Sequence, residues 1–209
     1  MAVLTMIIGQ SGTGKSTSLR SFSGNEVAII NVSGKALPFR NTMKTMDSDS
    51  YQDIIAAIRA TDKNIIVIDD ASYLMVDEFM NTADQKGYEK FTVMAKNFFV
   101  LCRICAVLPR EKRVYFLGHL DVDQAGREKF KTIGRLLDEK VTLEGLFPIV
   151  LKTVVNDDGY WFSTRNSGSD TVKSPMGMFG DALIPNDLKE VDRAICEYYG
   201  IENKEDSKK

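Results

Sequence analysis

The chain has 209 residues, 44% of them hydrophobic and 27% charged, and a net charge of −2. That length suits one α/β domain with a full core, and the near-neutral charge provides no global positive field to draw the protein onto nucleic acid. Cys102, Cys105 and Cys196 are the three cysteines. With no basic leader before the first apolar run, they exclude a disulfide framework and point to a reducing, cytoplasmic setting. Residues 98–108 form the most apolar stretch, but it is short and carries Arg103, so no membrane span is expected.

In chain order, residues 3–8 are apolar and partly β-branched, as in a buried strand. A glycine-rich turn follows, and residues 15–22 read as a helix. Residues 27–32 predict a second strand, 50–60 a helix, and 65–68 a third strand that runs into Asp69 and Asp70. Residues 88–108 give the clearest helix, with Tyr88, Phe91, Ala95, Phe98, Cys102 and Cys105 at steps of three and four, ended by Pro109. The Cys102/Cys105 pair has C-x-x-C spacing, but its place on an apolar helix face marks it as core. A fourth strand is expected over 114–117, ending at Gly118 and His119.

Residues 121–131 are polar, contain Gly126 and read as a mobile surface loop. Apolar runs on either side of Asn156-Asp157-Asp158-Gly159 signal a β-hairpin. Residues 166–178 read as a second loop and 187–199 as an amphipathic helix. A single domain is expected over residues 1–200, with a polar, disordered tail at 201–209. Strands alternating with helices predict an α/β fold with a mainly parallel sheet and helices on both faces. Ligands of such sheets sit beyond the carboxyl ends of the strands. Residues 9–16, 31–35, 69–70 and 118–119 occupy those positions.

Gly9, Gln10, Ser11, Gly12, Thr13, Gly14, Lys15 and Ser16 fit G-x-x-x-x-G-K-[ST], with a strand before and a helix after. Glycines allow the backbone to wrap a phosphate so that amide N–H groups face it, and the helix start adds favourable field. The expected ligand is Mg-ATP, held by residues 9–16 together with Thr17. Lys15 would bridge the β- and γ-phosphates, and Ser16 would bind Mg²⁺. The apolar strand ending at Asp69 then supplies the second Mg²⁺ residue, usually through a water. Asp70 could orient or deprotonate the attacking water, or could cap a helix near Ser72. His119, the single histidine, stands where a polar residue can touch the γ-phosphate and report its loss. No N-K-x-D guanine-reading motif is present, so ATP is favoured over GTP.

The ordered segments GQSGTGKS, IINVSGKALPFR, IIVIDD, FLGHLD, GRLLDEKVTLEGLFPIVLKT and TRNSGSDTVKSPMGMF resemble the phage-encoded, shortened RecA-like ATPases found among single-strand-annealing recombination proteins. The similarity runs over roughly residues 3–179. It implies a RecA-like P-loop core with Mg-dependent ATP hydrolysis, possession of a ring or filament state, single-stranded DNA as a partner and a single-strand-binding protein as another. It makes His119 a switch residue. It also makes Arg165, in STRNSG, the candidate arginine finger reaching a neighbouring subunit, with Lys140 and Lys173 as rivals. RecA-like enzymes usually place a catalytic Glu at the end of the second strand, where this chain has Asn31-Val32-Ser33. Two other functions therefore stand beside the recombination ATPase. One is a nucleotide-gated adaptor for a helicase or single-strand-binding protein with little hydrolysis. The other is a small-molecule P-loop kinase, using Arg127, Lys129, Lys131 and Arg135 as its lid.

Overall fold

Strands that are apolar on both faces need a covering layer on each side. β1 (Val3–Gly9), β2 (Val27–Asn31) and β4 (Ile65–Asp69) are of this kind, with almost every residue buried. The computed structural model describes residues 1–202, and it is an α/β fold built on a mostly parallel mixed sheet. β3 (Thr45–Asp47), β5 (Arg113–Val122), β7 (Ile149–Asn156), β8 (Gly159–Ser163) and β9 (Leu183–Pro185) complete the order β3-β2-β4-β5-β1-β7-β8-β9. The strands from β3 to β7 along this order are parallel, and β8 and β9 close the edge antiparallel.

Alternate residues of each strand feed opposite cores. Met6, Ile8, Ile66, Ile68, Val114 and Phe116 face α1 (Tyr51–Ala60), α2 (Tyr73–Asn81) and α3 (Glu89–Ala106). On α3, Phe98, Cys102 and Cys105 are buried in this layer, and burial pushes the Cys105 thiol up to about 12 and raises that of Cys102 well above its ordinary value. Ile7, Val67, Tyr115 and Leu117 face the other way, against Leu19 and α4 (Leu188–Tyr199). Arg113 is buried on that side. Its Nε and Nη2 donate to the two oxygens of Asp192 on α4, at 2.9 and 2.8 Å, and Tyr115 Oη donates to Asp192 Oδ1 at 2.5 Å. A fork of this kind satisfies both carboxylate oxygens and fixes α4 on the sheet. Among the described residues no helix is long and apolar enough to cross a membrane.

Three expectations change. The helix expected over 15–22 is a 3-10 turn, Ser16–Ser21, which starts after Lys15. Its first positions are occupied by the glycine-rich loop, and Ser18 N donates to both Gly14 O and Lys15 O. The fourth strand does not end at Leu117: β5 continues through His119 to Val122.

The segment 121–131 is not a mobile loop, because it pairs β6 (Glu128–Phe130) antiparallel to β5. The turn is set by Asp123 Oδ1, which accepts from Ala125 N and Arg127 N, and by Gly126 at φ +78°. Lys152 of β7 holds β6 down through Glu128 Oε2, at 2.5 Å, and binds Asp170 Oδ2 at 3.1 Å. At the carboxyl end, Ile201 N donates to Cys196 O. Residues 203–209 of the expected tail lie outside the described residues.

Candidate functional site

The loop after β1 closes on its own carbonyls. Lys15 Nζ donates to Gly9 O at 3.0 Å and to Gln10 O at 2.9 Å, and Thr13 Oγ1 donates to Gln10 O at 2.7 Å. Gly9 is required by close approach: a Cβ there would lie 1.8 Å from Thr153 Oγ1 on β7. Gly14 has φ +95°, which strains any other residue, and a Cβ there would meet Asn186 Oδ1 and Tyr160 Cδ1 tightly, at 3.1 Å each. Lys15 is buried, and burial lowers its pKa against the raising influence of Asp70 and Asp69.

The parallel register sets four strands side by side at this level of the sheet. His119 pairs with Gly9, and Asp69 pairs with Asn31. Ser16 Oγ donates to Asp69 Oδ1 at 3.0 Å, and Asp70 N donates to the same oxygen at 3.1 Å. Burial raises the Asp69 carboxyl to about 6, with the Ser16 hydrogen bond opposing that rise. Asp70 adopts φ +57°, the left-handed region that a non-glycine residue seldom occupies. There its carboxylate does not cap α2, whose start makes no side-chain cap. It lies 3.6 Å from His119 Nε2 and 3.6 Å from Lys35 Nζ. The helix-cap alternative for Asp70 is thereby set aside.

His119 is held by its backbone, since its N–H donates to Ser72 Oγ at 3.2 Å. Its ring meets Tyr73 edge-on at 5.5 Å. Burial and then the Lys15 charge lower its pKa, against the raising influence of Asp70, so the neutral imidazole is favoured.

These residues share one cleft of about 220 Å³. Ser11, Gly12, Gly14, Lys15, Ser16 and Thr17 form one wall, and Asp69, Asp70 and His119 form the floor. Gly9, Gln10 and Thr13 frame the loop from behind. The opposite wall is the segment after β2, including Asn31, Ser33, Lys35, Leu37 and Pro38. Sequence position placed residues 31–35 at a strand end but assigned them no chemistry. Gly34, at φ +64°, turns the chain so that Lys35 reaches Asp70 and stacks over Tyr73 at 4.8 Å. Thr153, Tyr160 and Asn186, which support the loop, had no local signal at all, because they come from β7, β8 and the end of β9.

Arg165, Lys140 and Lys173 do not line this cleft. Arg165 Nη2 donates to Gly180 O at 2.7 Å, and the Lys173 backbone pairs with Val150. Arg127 and Lys129 flank or lie on β6, and neither they nor Lys131 and Arg135 line the cleft. No protein-family model matches the chain, and no curated protein does either.

The cleft offers one buried cation, the glycine-rich loop, two hard oxygen donors and a second carboxylate. Ser16 and Asp69 are too few to hold a divalent cation alone, and among the described residues no cluster of three or more His, Cys, Asp or Glu could do so. Two oxygens suit Mg²⁺, which keeps several waters and is completed by phosphate oxygens.

Proposed function

We propose that this protein is a RecA-like Mg-dependent ATPase that acts in phage DNA recombination, binding single-stranded DNA for annealing or strand exchange. The observation that carries the reading is the meeting of Lys15, Ser16, Asp69, Asp70 and His119 in one cleft at the carboxyl ends of β1 and β4 and beside β5. β5 lies between β1 and β4, so His119 stands between the lysine-bearing loop and the acidic strand end, as the RecA-like resemblance asks of a switch residue.

In this reading the loop amides and Lys15 hold the β- and γ-phosphates, and Lys15 exchanges the carbonyls of Gly9 and Gln10 for phosphate oxygen. Ser16 would hold Mg²⁺ directly and Asp69 through a water, and the metal would supply charge neutralisation on the phosphates. Asp70 accepts the proton of a water that attacks the γ-phosphorus. The bond to the β,γ-bridging oxygen breaks, and ADP and phosphate are the products. His119 contacts the γ-phosphate as a neutral donor and loses that contact after hydrolysis. Arg165, outside the cleft of its own chain, is available to a neighbouring subunit in a ring or filament.

A second reading rests on the wall after β2. That strand ends in Asn31-Val32-Ser33 without an acid, and Lys35 pairs with the remaining candidate base, Asp70. Such a site binds nucleotide and turns it over slowly, as a nucleotide-gated adaptor for a helicase or single-strand-binding protein would. For the kinase reading, Lys131 lies beside the cleft, its N–H donating to His119 O at 2.8 Å, while Arg127, Lys129 and Arg135 do not line it. Steady-state ATP hydrolysis with and without single-stranded DNA separates the first two. Stimulation by DNA that disappears in Lys15→Ala supports the recombination ATPase. Tight ATP binding with background turnover in both conditions favours the adaptor.

A further inference from the structure

Asn186 sits just after β9 with 2% of its surface exposed. Its backbone is fully engaged. The N–H donates to Tyr160 O at 3.1 Å, and the carbonyl accepts from Arg20 Nη1 at 2.5 Å, which ties the 3-10 turn behind the glycine-rich loop to the far edge of the sheet. The side chain is not engaged. Both its Nδ2 and its Oδ1 are buried without a hydrogen-bond partner. A buried amide in that condition is unfavourable, and a leucine of nearly the same shape would not carry the penalty.

The amide stands directly behind the glycine-rich loop. A Cβ on Gly14 would lie 3.1 Å from Asn186 Oδ1 and 3.3 Å from its Cγ, so the side chain abuts the loop backbone itself. That loop is in a self-bonded state, with the Lys15 ammonium on the carbonyls of Gly9 and Gln10. A phosphate that draws Lys15 away must release both carbonyls and let the loop readjust around Gly14.

We propose that Asn186 is a positioning residue for nucleotide binding: its amide, without a partner in the self-bonded loop, pairs with a peptide group near Gly14 when the loop takes up phosphate. The cost of the orphaned amide then falls on the empty state and is relieved in the loaded one, which favours loading. This inference rests on the cleft being a nucleotide site.

The test compares wild type, Asn186→Leu and Asn186→Ala by thermal unfolding and by calorimetric titration with Mg-ATP. Both variants are expected to bind Mg-ATP about three- to tenfold more weakly, the effect of one net hydrogen bond. Without nucleotide, Asn186→Leu is expected to melt no lower than wild type, whereas a residue needed only for the fold would lower melting and leave affinity alone. Wild-type affinity in Asn186→Ala overturns the proposal whatever the leucine variant does, since alanine needs no extra room. Failure of wild type itself to bind Mg-ATP removes the nucleotide site and this inference together, and so is told apart from failure of the inference alone.

Discussion

The Ser16 hydroxyl donates to Asp69 Oδ1 at 3.0 Å, joining the end of the glycine-rich loop to the carboxyl end of β4. The two residues are 53 positions apart, and β5 lies in the sheet between β4 and β1, the strand that leads into the loop. A hydroxyl and a carboxylate brought together in this way form the two-oxygen half of a site that a hydrated cation and a phosphate would complete. With Asp69 acting on the hydrated metal from behind a water, Asp69→Asn is expected to weaken Mg²⁺-supported hydrolysis by about 10- to 100-fold. A Mg²⁺ titration of ATP hydrolysis checks this, with the half-saturating concentration moving upward. Ser16→Ala is expected to shift it in the same direction.

The pH dependence follows from the same carboxyl. Its folded-state pKa is raised by burial to about 6, above its ordinary value of 3.8. The folded protein therefore favours the protonated form. The associated stability is present in full below the unfolded pKa and is lost as pH rises through about 6. Without nucleotide, wild type is expected to lose stability relative to Asp69→Asn across that window, measured by chemical denaturation. Mg-ATP needs the carboxylate, so its stabilising effect is expected to grow over the same range, from small below about pH 5 to full above about pH 7.

In the proposed reading Asp70 and His119 bear on turnover more than on binding. As the proton acceptor, Asp70 is expected to account for about 10²- to 10⁴-fold in kcat, so Asp70→Asn lowers turnover by that factor while Mg-ATP affinity is kept. His119→Gln preserves a neutral hydrogen-bonding group and is expected to retain more activity than His119→Ala. Single-turnover kinetics alongside equilibrium binding separates these effects. Equal loss of binding and turnover in Asp70→Asn would assign the carboxylate to the loop's architecture instead.

Stability depends heavily on a pair distant from the cleft. Asp192 accepts from Arg113 and Tyr115 in a buried setting. Asp192→Ala removes the carboxylate that Arg113 and Tyr115 share in a buried setting, and the expected loss is about 3–5 kcal/mol in denaturant unfolding. Replacing both Arg113 and Asp192 with apolar side chains is expected to restore much of that loss.

Legibility in the sequence followed the range of each determinant. The glycine-rich loop, β1, β2, β4, α3, α4 and the 156–159 hairpin are written in local spacing and turn chemistry, and all were readable. α2 was legible only as a helix near Ser72 without bounds, because no capping side chain marks its start and its buried Leu74 and Met75 sit among Asp77, Glu78 and Asn81. β6 was missed because Glu128 and Lys129 mask a strand whose one buried residue, Phe130, fills the space above Gly118. Lys35 escaped because a glycine turn, not a periodic element, directs it. The Arg113–Asp192 fork spans 79 positions and leaves no local trace.

The central claim is that this cleft binds Mg-ATP through the loop and Lys15, and equilibrium titration of wild type and Lys15→Ala with Mg-ATP tests it most directly. The account predicts saturable binding by wild type that requires Mg²⁺ for full affinity, and its loss in a folded Lys15→Ala protein. Equal binding by the two proteins, or none by wild type, would contradict it.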